Sequence, residues 1–481
     1  MTAGRIALLA VLSLAASPAL AQEEHAVISP DRVGCATGKP EIAIPACGHL
    51  IADRALPPDV HAIALRNRGV AYQNRGDLEK ALADYEAAIH LGLAANGSKT
   101  LLAKTYVNAG MISARKGDEA KALADYASAI ALDPSVGVAY LNRAALAEKR
   151  GDTAAALADL TQAARFSPKD PAVFVSRGAL YANTGDQPHA IADFSTALAL
   201  DATDANAWRN RASSYRRMGD TAHAAADLAQ AIRLAPDVAA SHRERAQTLQ
   251  AGGDTDQAIA EFGRAIALNP SDAEAIKARG DAYLAKGQHD LAIADYTQAI
   301  GFDPAFRDAY NNRGAAYIAK ADWDHAAADL TKVIELDPTL AAAVFNRGQV
   351  LEAKGERDRA IADFDAVIRL QPDMEAAWRH RAFLRHAKGD NPGAVADYAK
   401  AIELDPKDAE AWRGRGVAEL DSRALDPAVA DLTQAIALNA NDALAYRFRS
   451  QAYGLKKDVV HATQDDTTAI RLNPELVKAA R

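Results

Sequence analysis

The stretch AEAIKARGDAYLAKGQHDLAIADYTQAIGFDPAF, residues 273–306, contains the pattern from which most of the chain is built. It is 34 residues long, and its apolar spacing predicts two short amphipathic helices. The first helix places Gly280 and Tyr283 on one face, and the second presents Ala292 and Tyr296 to that face. The unit is therefore a helical hairpin that buries one side of each helix.

Glycine and proline mark the ends of these two helices. Gly287 closes the first helix, where the chain needs a residue in the left-handed conformation, and Pro304 stops the second helix. The position of Gly287 recurs at 34-residue intervals along the chain, at Gly117, Gly151, Gly185, Gly219, Gly253, Gly287, Ala321, Gly355, Gly389, Arg423 and Lys457. This strict period predicts an array of stacked hairpins.

Composition agrees with thin, closely packed helices. Among the 481 residues alanine is abundant, whereas aromatic residues make up only 6%. The formal net charge is −8 and the isoelectric point is near 5.9, so the overall field does not favour nucleic acid as a partner.

The first 21 residues have the features of a signal peptide. A short segment with one positive charge, Arg5, precedes an apolar run from Ile6 to Ala16, and a small-x-small motif ends at Ala21. Removing Arg5 takes the net charge from −8 to −9. We expect cleavage after Ala21 and an exported, periplasmic protein without a transmembrane segment in the mature chain.

Residues 22–61 form a separate N-terminal segment. The polar stretch 22–34 is expected to be poorly ordered, and Cys35 and Cys47 then bracket a short loop. In an exported protein two such cysteines favour a disulfide. A redox or metal role is the alternative, although the spacing matches neither a C-x-x-C pair nor a zinc pair. A helix from Ile42 to Arg54 is expected to cap the array.

The repeats occupy residues 62–474, and residues 475–481 form a C-terminal tail. About seven extra residues near 93–100, in the first repeat, predict either a loop or a helix extension. The last repeat has Asp466 where earlier repeats have Tyr296 or Phe364, which predicts a polar helix that caps the end.

The 34-residue motif resembles the tetratricopeptide repeat family, and the resemblance covers about twelve repeats. Trp208, Trp378 and Trp412 stand at the aromatic position that opens the first helix. An exported chain with two cysteines before its repeats is similar to proteins of this family in bacterial envelopes. The resemblance implies an all-α, right-handed superhelical solenoid whose concave face, lined by first helices, binds peptides or partner proteins.

An arginine in the first helix and an acid sixteen residues later recur in nearly every repeat, and the hairpin should bring the two together. A stripe that binds phosphate or carboxylate is one reading of these arginines, but the strict pairing favours ion pairs within repeats. Asp125 is predicted to lack its partner, because Ala109 replaces the arginine. The arginines are Arg68, Arg143, Arg177, Arg211, Arg245, Arg279, Arg313, Arg347, Arg381, Arg415 and Arg449.

Basic residues also occur two positions before these arginines, on the face expected to line the groove. They form two runs that could attract acidic peptide segments or a C-terminal carboxylate. A solvated surface balanced by acids such as Glu244 and Asp281 is the alternative. The candidate ligand-binding residues of the first run are Arg209, Arg243 and Lys277, with Arg216 and Arg217 close by. Those of the second run are Arg379, Arg413 and Arg447.

Signatures of catalysis are missing from the sequence. It contains no phosphate-binding glycine loop, no H-E-x-x-H and no G-x-S-x-G motif. His380 and His386 share a helix but lack the spacing that suits one metal ion. We therefore expect no enzymatic activity, no cofactor and no metal site.

The sequence thus predicts a non-catalytic scaffold of the bacterial envelope that binds proteins or peptides on the concave face of a superhelix. The alternative is a structural subunit of an envelope assembly that uses terminal or convex-face contacts. Neither the partner nor the oligomeric state follows from the sequence.

Overall fold

The computed structural model describes residues 29–476, and this part of the chain contains 26 α-helices and no strand. The expected signal peptide and most of the expected tail lie outside the described residues. The helices belong to two compact units, the first ending at Gly252 and the second beginning at Gly253. The prediction of an all-α array of helix-turn-helix repeats is confirmed.

Two helices joined by a disulfide precede the repeats. Helix α1 spans Pro30–Ala36 and helix α2 spans Pro40–Ala52. Cys35 and Cys47 form the disulfide, with Cα atoms 4.7 Å apart. The expectation of poor order is wrong for residues 30–34, because the side chain of Ser29 caps α1 by accepting a hydrogen bond from the backbone N–H of Arg32.

Each repeat begins with a helix that we call its first helix. The first helices of repeats one to six are α3 (Pro58–Arg75), α5 (Lys99–Arg115), α7 (Gly137–Lys149), α9 (Pro171–Asn183), α11 (Ala205–Arg217) and α13 (Ala239–Ala251). Those of repeats seven to twelve are α15 (Ala273–Ala285), α17 (Arg307–Ala319), α19 (Ala341–Ala353), α21 (Glu375–Ala387), α23 (Ala409–Asp421) and α25 (Ala443–Leu455).

The second helices alternate with the first ones along the chain. Those of repeats one to five are α4 (Leu78–Ala94), α6 (Glu119–Leu132), α8 (Thr153–Phe166), α10 (Gln187–Leu200) and α12 (Thr221–Leu234). Those of the second unit are α14 (Thr255–Leu268), α16 (His289–Phe302), α18 (Trp323–Leu336), α20 (Arg357–Leu370), α22 (Asn391–Leu404), α24 (Leu425–Leu438) and α26 (Val459–Leu472). The extra residues of the first repeat extend α4, so the helix-extension alternative holds.

A glycine–aspartate dipeptide shapes most of the turns inside repeats. Gly151 has φ +79°, which closes α7, and the next residue, Asp152, caps α8 by accepting a hydrogen bond from the N–H of Ala155 at 3.0 Å. In four repeats a histidine bonded to the capping aspartate also stacks on a tyrosine of the first helix, at 5.0–5.1 Å between ring centroids. The turn is therefore fixed from both helices.

Small residues let the two helices of a repeat approach closely. In the seventh repeat, Ile276, Ala292 and Tyr296 are fully buried. A Cβ atom placed on Gly280 would lie 2.8 Å from the ring of Tyr296, closer than atoms can pack. The glycine of the first helix is thus required by the aromatic residue of the second.

Paired charges join the two helices in ten of the twelve repeats, as the sixteen-residue spacing predicts. Ten arginines donate two hydrogen bonds each to the aspartate of their own second helix, with N···O distances of 2.5–2.9 Å. Several also donate to a hydroxyl of the preceding second helix, as Arg211 does to Ser195 at 2.9 Å. The guanidinium of Arg211 further lies 4.9 Å from the ring of Trp208.

Asp125 is the exception that the sequence predicts. Its carboxylate lies between α5 and α6 without the usual arginine, and its Oδ2 atom is buried without a hydrogen-bond partner. Burial raises the pKa of Asp125 to about 6, with Lys121 opposing the rise and Glu86 adding to it. The missing arginine therefore leaves a carboxyl group that is easier to protonate in the folded chain.

The substitution Asp125→Asn is expected to stabilise the protein at pH 8 by about 1 kcal/mol, because it removes an unpaired buried charge. The native pKa of about 6 lies above that of an unfolded aspartate, so stability falls as pH rises from 4 through 6. The gain should shrink below pH 4. Asp159→Asn, at a site paired with Arg143, is the control and should destabilise at pH 8. Urea unfolding at both pH values gives the comparison.

Ala321 occupies the turn position at which most repeats have glycine, and its φ is +55°. Ala321→Gly should therefore stabilise the second unit by about 0.5–1 kcal/mol, because a side chain is strained in this conformation. Gly287→Ala is the matched control, since φ there is +70° and no atom lies within 4 Å of an added Cβ. It should lower the urea midpoint, and a shift of the same sign in both variants would contradict the backbone argument.

Candidate functional site

First helices of successive repeats lie side by side within each unit. Helix α9 contacts α11 in the first unit, and α21 contacts α23 in the second. Side chains bridge such neighbours directly, as Asn312 of α17 does when it donates to Asp281 of α15 at 2.8 Å. We call this surface, formed by the first helices and turned away from their own second helices, the first-helix face.

One position on the first-helix face differs among repeats, whereas the central alanine of the second helix does not. The central alanine of the second helix is fully buried in repeat after repeat, as Ala292, Ala326 and Ala360 show. The residue before the paired arginine is asparagine in six repeats and a different residue type in each of the other six. In chain order it is Asn67, Asn108, Asn142, Ser176, Asn210, Glu244, Ala278, Asn312, Asn346, His380, Gly414 and Phe448.

In the first unit, the predicted binding residues have different surroundings. Arg209 of α11 donates to Glu244 of α13 at 2.7 Å, so their charges offset each other. Arg243 lies half-buried on α13, and Arg216 is exposed near the end of α11. Arg217 donates to the carbonyl of Ala182 at 2.7 Å and so caps the end of α9.

In the second unit, each predicted binding residue lies beside a carboxylate. Lys277 pairs with Asp281 at 2.8 Å, one turn further along α15. Arg379 donates to Glu410 at 3.0 Å and also lies 3.0 Å from Asp408.

The two remaining basic residues of the second unit are paired in the same way. Arg413 donates to Asp442 at 2.6 Å, and Arg447 donates to Asp466 of the last helix. Glu244 and Asp281 are the acids that the sequence suggested as neutralising the basic residues. Four further carboxylates also pair with these basic residues. The first-helix face thus carries many ion pairs. A ligand that binds one of the basic residues would have to displace the carboxylate paired with it.

The paired arginines between helices are committed to structure. Arg381, for example, bonds Asp397 through two nitrogen atoms, contacts Asp365 through a third and lies 4.8 Å from the ring of Trp378. A guanidinium whose nitrogen atoms are bonded in this way has few N–H groups available to bind a ligand. This geometry supports ion pairs over a binding stripe.

A polar network that sequence analysis did not identify lies on the first-helix face of α15 and α17. The hydroxyl of Tyr296, reaching over from α16, donates to Asp281 at 2.8 Å, and Asn312 donates to the same oxygen. Lys277 completes the group. The signal in the sequence was a tyrosine at a position where seven other repeats have leucine or phenylalanine.

Burial has shifted the pKa of two glutamates in α21 and α23. It raises the pKa of Glu375 to about 7, where Arg379 opposes the rise and Asp408 adds to it. Burial likewise raises the pKa of Glu419 to about 7, with the carboxylate of Asp431 contributing. Both groups therefore change protonation near neutral pH.

The histidines that share α21 do not come together as metal ligands. His380 bonds Glu352 at 2.8 Å, whereas His386 bonds Asp421 at 2.9 Å. Over residues 29–476, no group of three potential ligands could hold a metal ion. Within the same range, no helix combines the length and apolar character needed to cross a bilayer.

Family models match several segments of the chain. A model described as "TPR repeat" matches residues 280–321 and 384–421. Models described as "Tetratricopeptide repeat" match residues 311–375, 62–92, 103–136 and 205–238. A search of curated protein sequences finds no match to this chain.

Solved structures of similar arrays are numerous, and three illustrate the range. YrrB, titled a TPR protein with an unusual peptide-binding site, is 23% identical over 38% of this chain and 95% of its own, with a TM-score of 0.36. The C-terminal part of a TPR protein from Cytophaga hutchinsonii is 18% identical over 49% and 97%, with a TM-score of 0.46. Yeast Tom70 is 17% identical over 88% and 99%, with a TM-score of 0.33.

Proposed function

Because the chain carries tetratricopeptide repeats, we propose that it is a non-catalytic scaffold that binds a protein or peptide on its first-helix face. Such repeats generally serve protein interaction and are typically not catalytic. In the superhelix that the resemblance implies, this face is the concave one.

The difference in variability between packing positions and positions on the first-helix face is the observation that carries this proposal. The central alanine of the second helix recurs in all twelve repeats, whereas the position before the paired arginine of the first helix holds seven residue types. Nine of these twelve positions are partly exposed, so packing alone does not account for the variety there. A distinct chemical pattern along the face is what a surface needs to select one partner segment over another.

Ion pairs on this face would help a partner to dock in register. The pair between Arg209 and Glu244 is about one quarter exposed on each side, and its net contribution to stability is on the order of 0–1 kcal/mol. An acidic partner segment could therefore replace Glu244 at little energetic cost. The basic residues would then supply orientation and a faster association rate.

We further propose that the protein acts in the bacterial envelope. The features of residues 1–21 are those of a cleaved export signal, and the disulfide between Cys35 and Cys47 fits an oxidising compartment. The disulfide holds the two helices that cover the start of the repeats. A scaffold outside the cytoplasm would benefit from a covalently fixed end.

An observation at the other end favours the second candidate function, a structural subunit of an assembly. Val459 and Val460 begin the last helix with 71% and 76% of their surfaces exposed. Five second helices of the second unit have an aspartate at the position of Val460, such as Asp426, which pairs with Lys456 of the next repeat. Such an exposed apolar pair would suit contact with another subunit.

Partner capture from an envelope extract tests the scaffold proposal. The variant Arg209→Ala/Arg379→Ala/Arg413→Ala removes three cations from the first-helix face and should lose at least tenfold of the captured partner. The matched control, Lys332→Ala/Arg359→Ala/Lys400→Ala, removes three exposed cations that pair with acids on second helices, and it should retain the partner. Higher salt should weaken capture by the wild type.

The same experiment separates the two functions through crosslinking. A photo-crosslinking residue at Asn346, on the first-helix face, should label the partner, whereas one at Val460 should not. Labelling from Val460 alone, with equal capture by both triple variants, would replace the scaffold proposal with the assembly.

The proposed export also predicts the N-terminus and the thiol content of the purified protein. The mature chain should begin at Gln22 and carry no free thiol, because the signal peptide is removed and both cysteines are oxidised. Intact mass before and after alkylation under denaturing conditions measures both properties. A chain that begins at Met1 with two reactive thiols would contradict the proposed location.

A further inference from the structure

Two glutamates of the second unit occupy positions where other repeats have uncharged residues. Glu375 is the first residue of α21, whereas six other first helices begin with alanine. Glu419 lies four residues after the paired Arg415 in α23, at a position where six other repeats have tyrosine. The repeat pattern therefore accounts for neither carboxyl group.

Glu375 meets the aspartate that caps the N-terminus of α23. The Oδ1 atom of this aspartate, Asp408, accepts a hydrogen bond from the backbone N–H of Glu410 at 2.8 Å. Its Oδ2 atom lies 3.0 Å from Nε of Arg379, and Oε1 of Glu375 lies 3.4 Å from the same nitrogen. Two carboxyl groups thus converge on one guanidinium nitrogen, and Oε1 of Glu375 is buried without a hydrogen-bond partner in the described chain.

Glu419 makes a similar contact near the C-terminus of α23. Both oxygen atoms of Asp431 accept hydrogen bonds from Arg415, at 2.5 and 2.9 Å. Glu419 approaches this aspartate as a second acid, and its Oε2 atom is buried without a partner among the described residues. One repeat earlier the same position holds Arg385, which donates to Asp397 at 2.9 Å. Repeat eleven therefore has an acceptor where repeat ten has a donor.

A proton satisfies both contacts. Two ionised carboxylates side by side repel each other, and neither can donate a hydrogen bond. When one of them is protonated, its O–H donates to the other, and the contact becomes a charge-assisted hydrogen bond between two helices. The first contact joins α21 to α23, and the second joins α23 to α24. The two contacts lie at opposite ends of one helix.

Other charged groups around Glu375 determine whether it holds this proton. Burial favours the protonated form most strongly, Arg379 opposes it, and the carboxylates of Asp408 and Asp405 add to it. Tyr398 of α22 lies near Arg379 and Asp408, and burial raises the pKa of its phenol to about 12, so it stays neutral. The sum of these effects keeps a proton on Glu375 up to neutral pH.

The direction of the pH effect follows from the two glutamates. Burial and Asp431 favour the proton on Glu419, and Arg415 opposes it. The pKa of each glutamate, about 7 in the folded chain, lies above the ordinary value of about 4.3. Between these pH values the folded chain holds protons that the unfolded chain has released. The stability that they confer is complete below about pH 4 and is lost as the pH rises through 7.

We propose that shared protons fasten both ends of α23, so that its packing against α21 and α24 tightens in acid and loosens above neutral pH. Protonated Glu375 bonds Asp408 at one end of the helix, and protonated Glu419 bonds Asp431 at the other. Arg413 lies on α23 between the two contacts, so this part of the first-helix face becomes less rigid as the pH rises. The device belongs to the fold and goes beyond the proposed scaffold function.

Hydrogen–deuterium exchange of the mature protein, followed by mass spectrometry at pH 6, 7 and 8, tests the two carboxyl contacts. Loss of one proton between pH 6 and pH 8 shifts a local opening equilibrium by up to about tenfold. After correction for intrinsic chemical rates, peptides from α23 should therefore exchange about tenfold faster at pH 8 than at pH 6. Peptides from α15 are the internal reference and should change little.

Glutamine substitutions supply the matched variants. Glutamine has the shape of a protonated glutamate and donates a hydrogen bond at every pH, so Glu375→Gln/Glu419→Gln should remove the difference between pH 6 and pH 8. Each single variant should remove part of it. The control Glu335→Gln/Glu403→Gln changes two exposed glutamates that pair with lysines on second helices, and it should keep the wild-type difference.

Three results would overturn the inference. Equal protection of α23 at pH 6 and pH 8 in the wild type would mean that no proton holds the helix, and this result needs no variant. An undiminished pH difference in Glu375→Gln/Glu419→Gln would assign the responsible proton to another group. Protection restored at pH 8 by millimolar calcium chloride, and lost again with EDTA, would replace the shared protons by a bound cation.

Discussion

The bond between an arginine of the first helix and an aspartate of the second is the interaction on which the repeats depend. It sets the axial register of the two helices, because both nitrogen atoms of the guanidinium fork must meet both carboxylate oxygens. The same arginine often reaches a hydroxyl of the preceding second helix. One side chain thereby joins three helices and also stacks on the aromatic residue that opens its own helix.

The contribution of such pairs lies in specificity of packing more than in stability. Desolvation of a half-buried pair offsets much of its attraction, but removal of one partner leaves an uncompensated charge. Asp125 shows this situation in the native chain, where Ala109 leaves the carboxylate unpaired and its pKa rises to about 6. Stacked alanines and the glycine–aromatic contact provide the burial, and the ion pairs fix which helices meet and in what register.

Because these contacts hold the repeats together, the outward positions of the first helices are free to vary. The core and the ion pairs use a small set of residue types in nearly every repeat, so the outward positions of the first helices can differ without disturbing the array. The replacement of Asn312 and Asp281 by Gly414 and Phe383 in the later repeats illustrates the point. The fold tolerates both sets, but the donors available to a ligand are different.

The sequence by itself determined the helices, their hairpin arrangement, the turns and the charge pairs, because each follows from local spacing repeated every 34 residues. It also marked the disulfide and the lone Asp125. It missed the short helix α1, whose formation depends on a serine cap and a covalent tie to α2. Tertiary structure decided how the basic residues are used, since Arg209, Arg379 and Arg413 find acids on neighbouring repeats about thirty residues away. Side-chain contacts between repeats depend on how helices stack, and no single repeat contains that information.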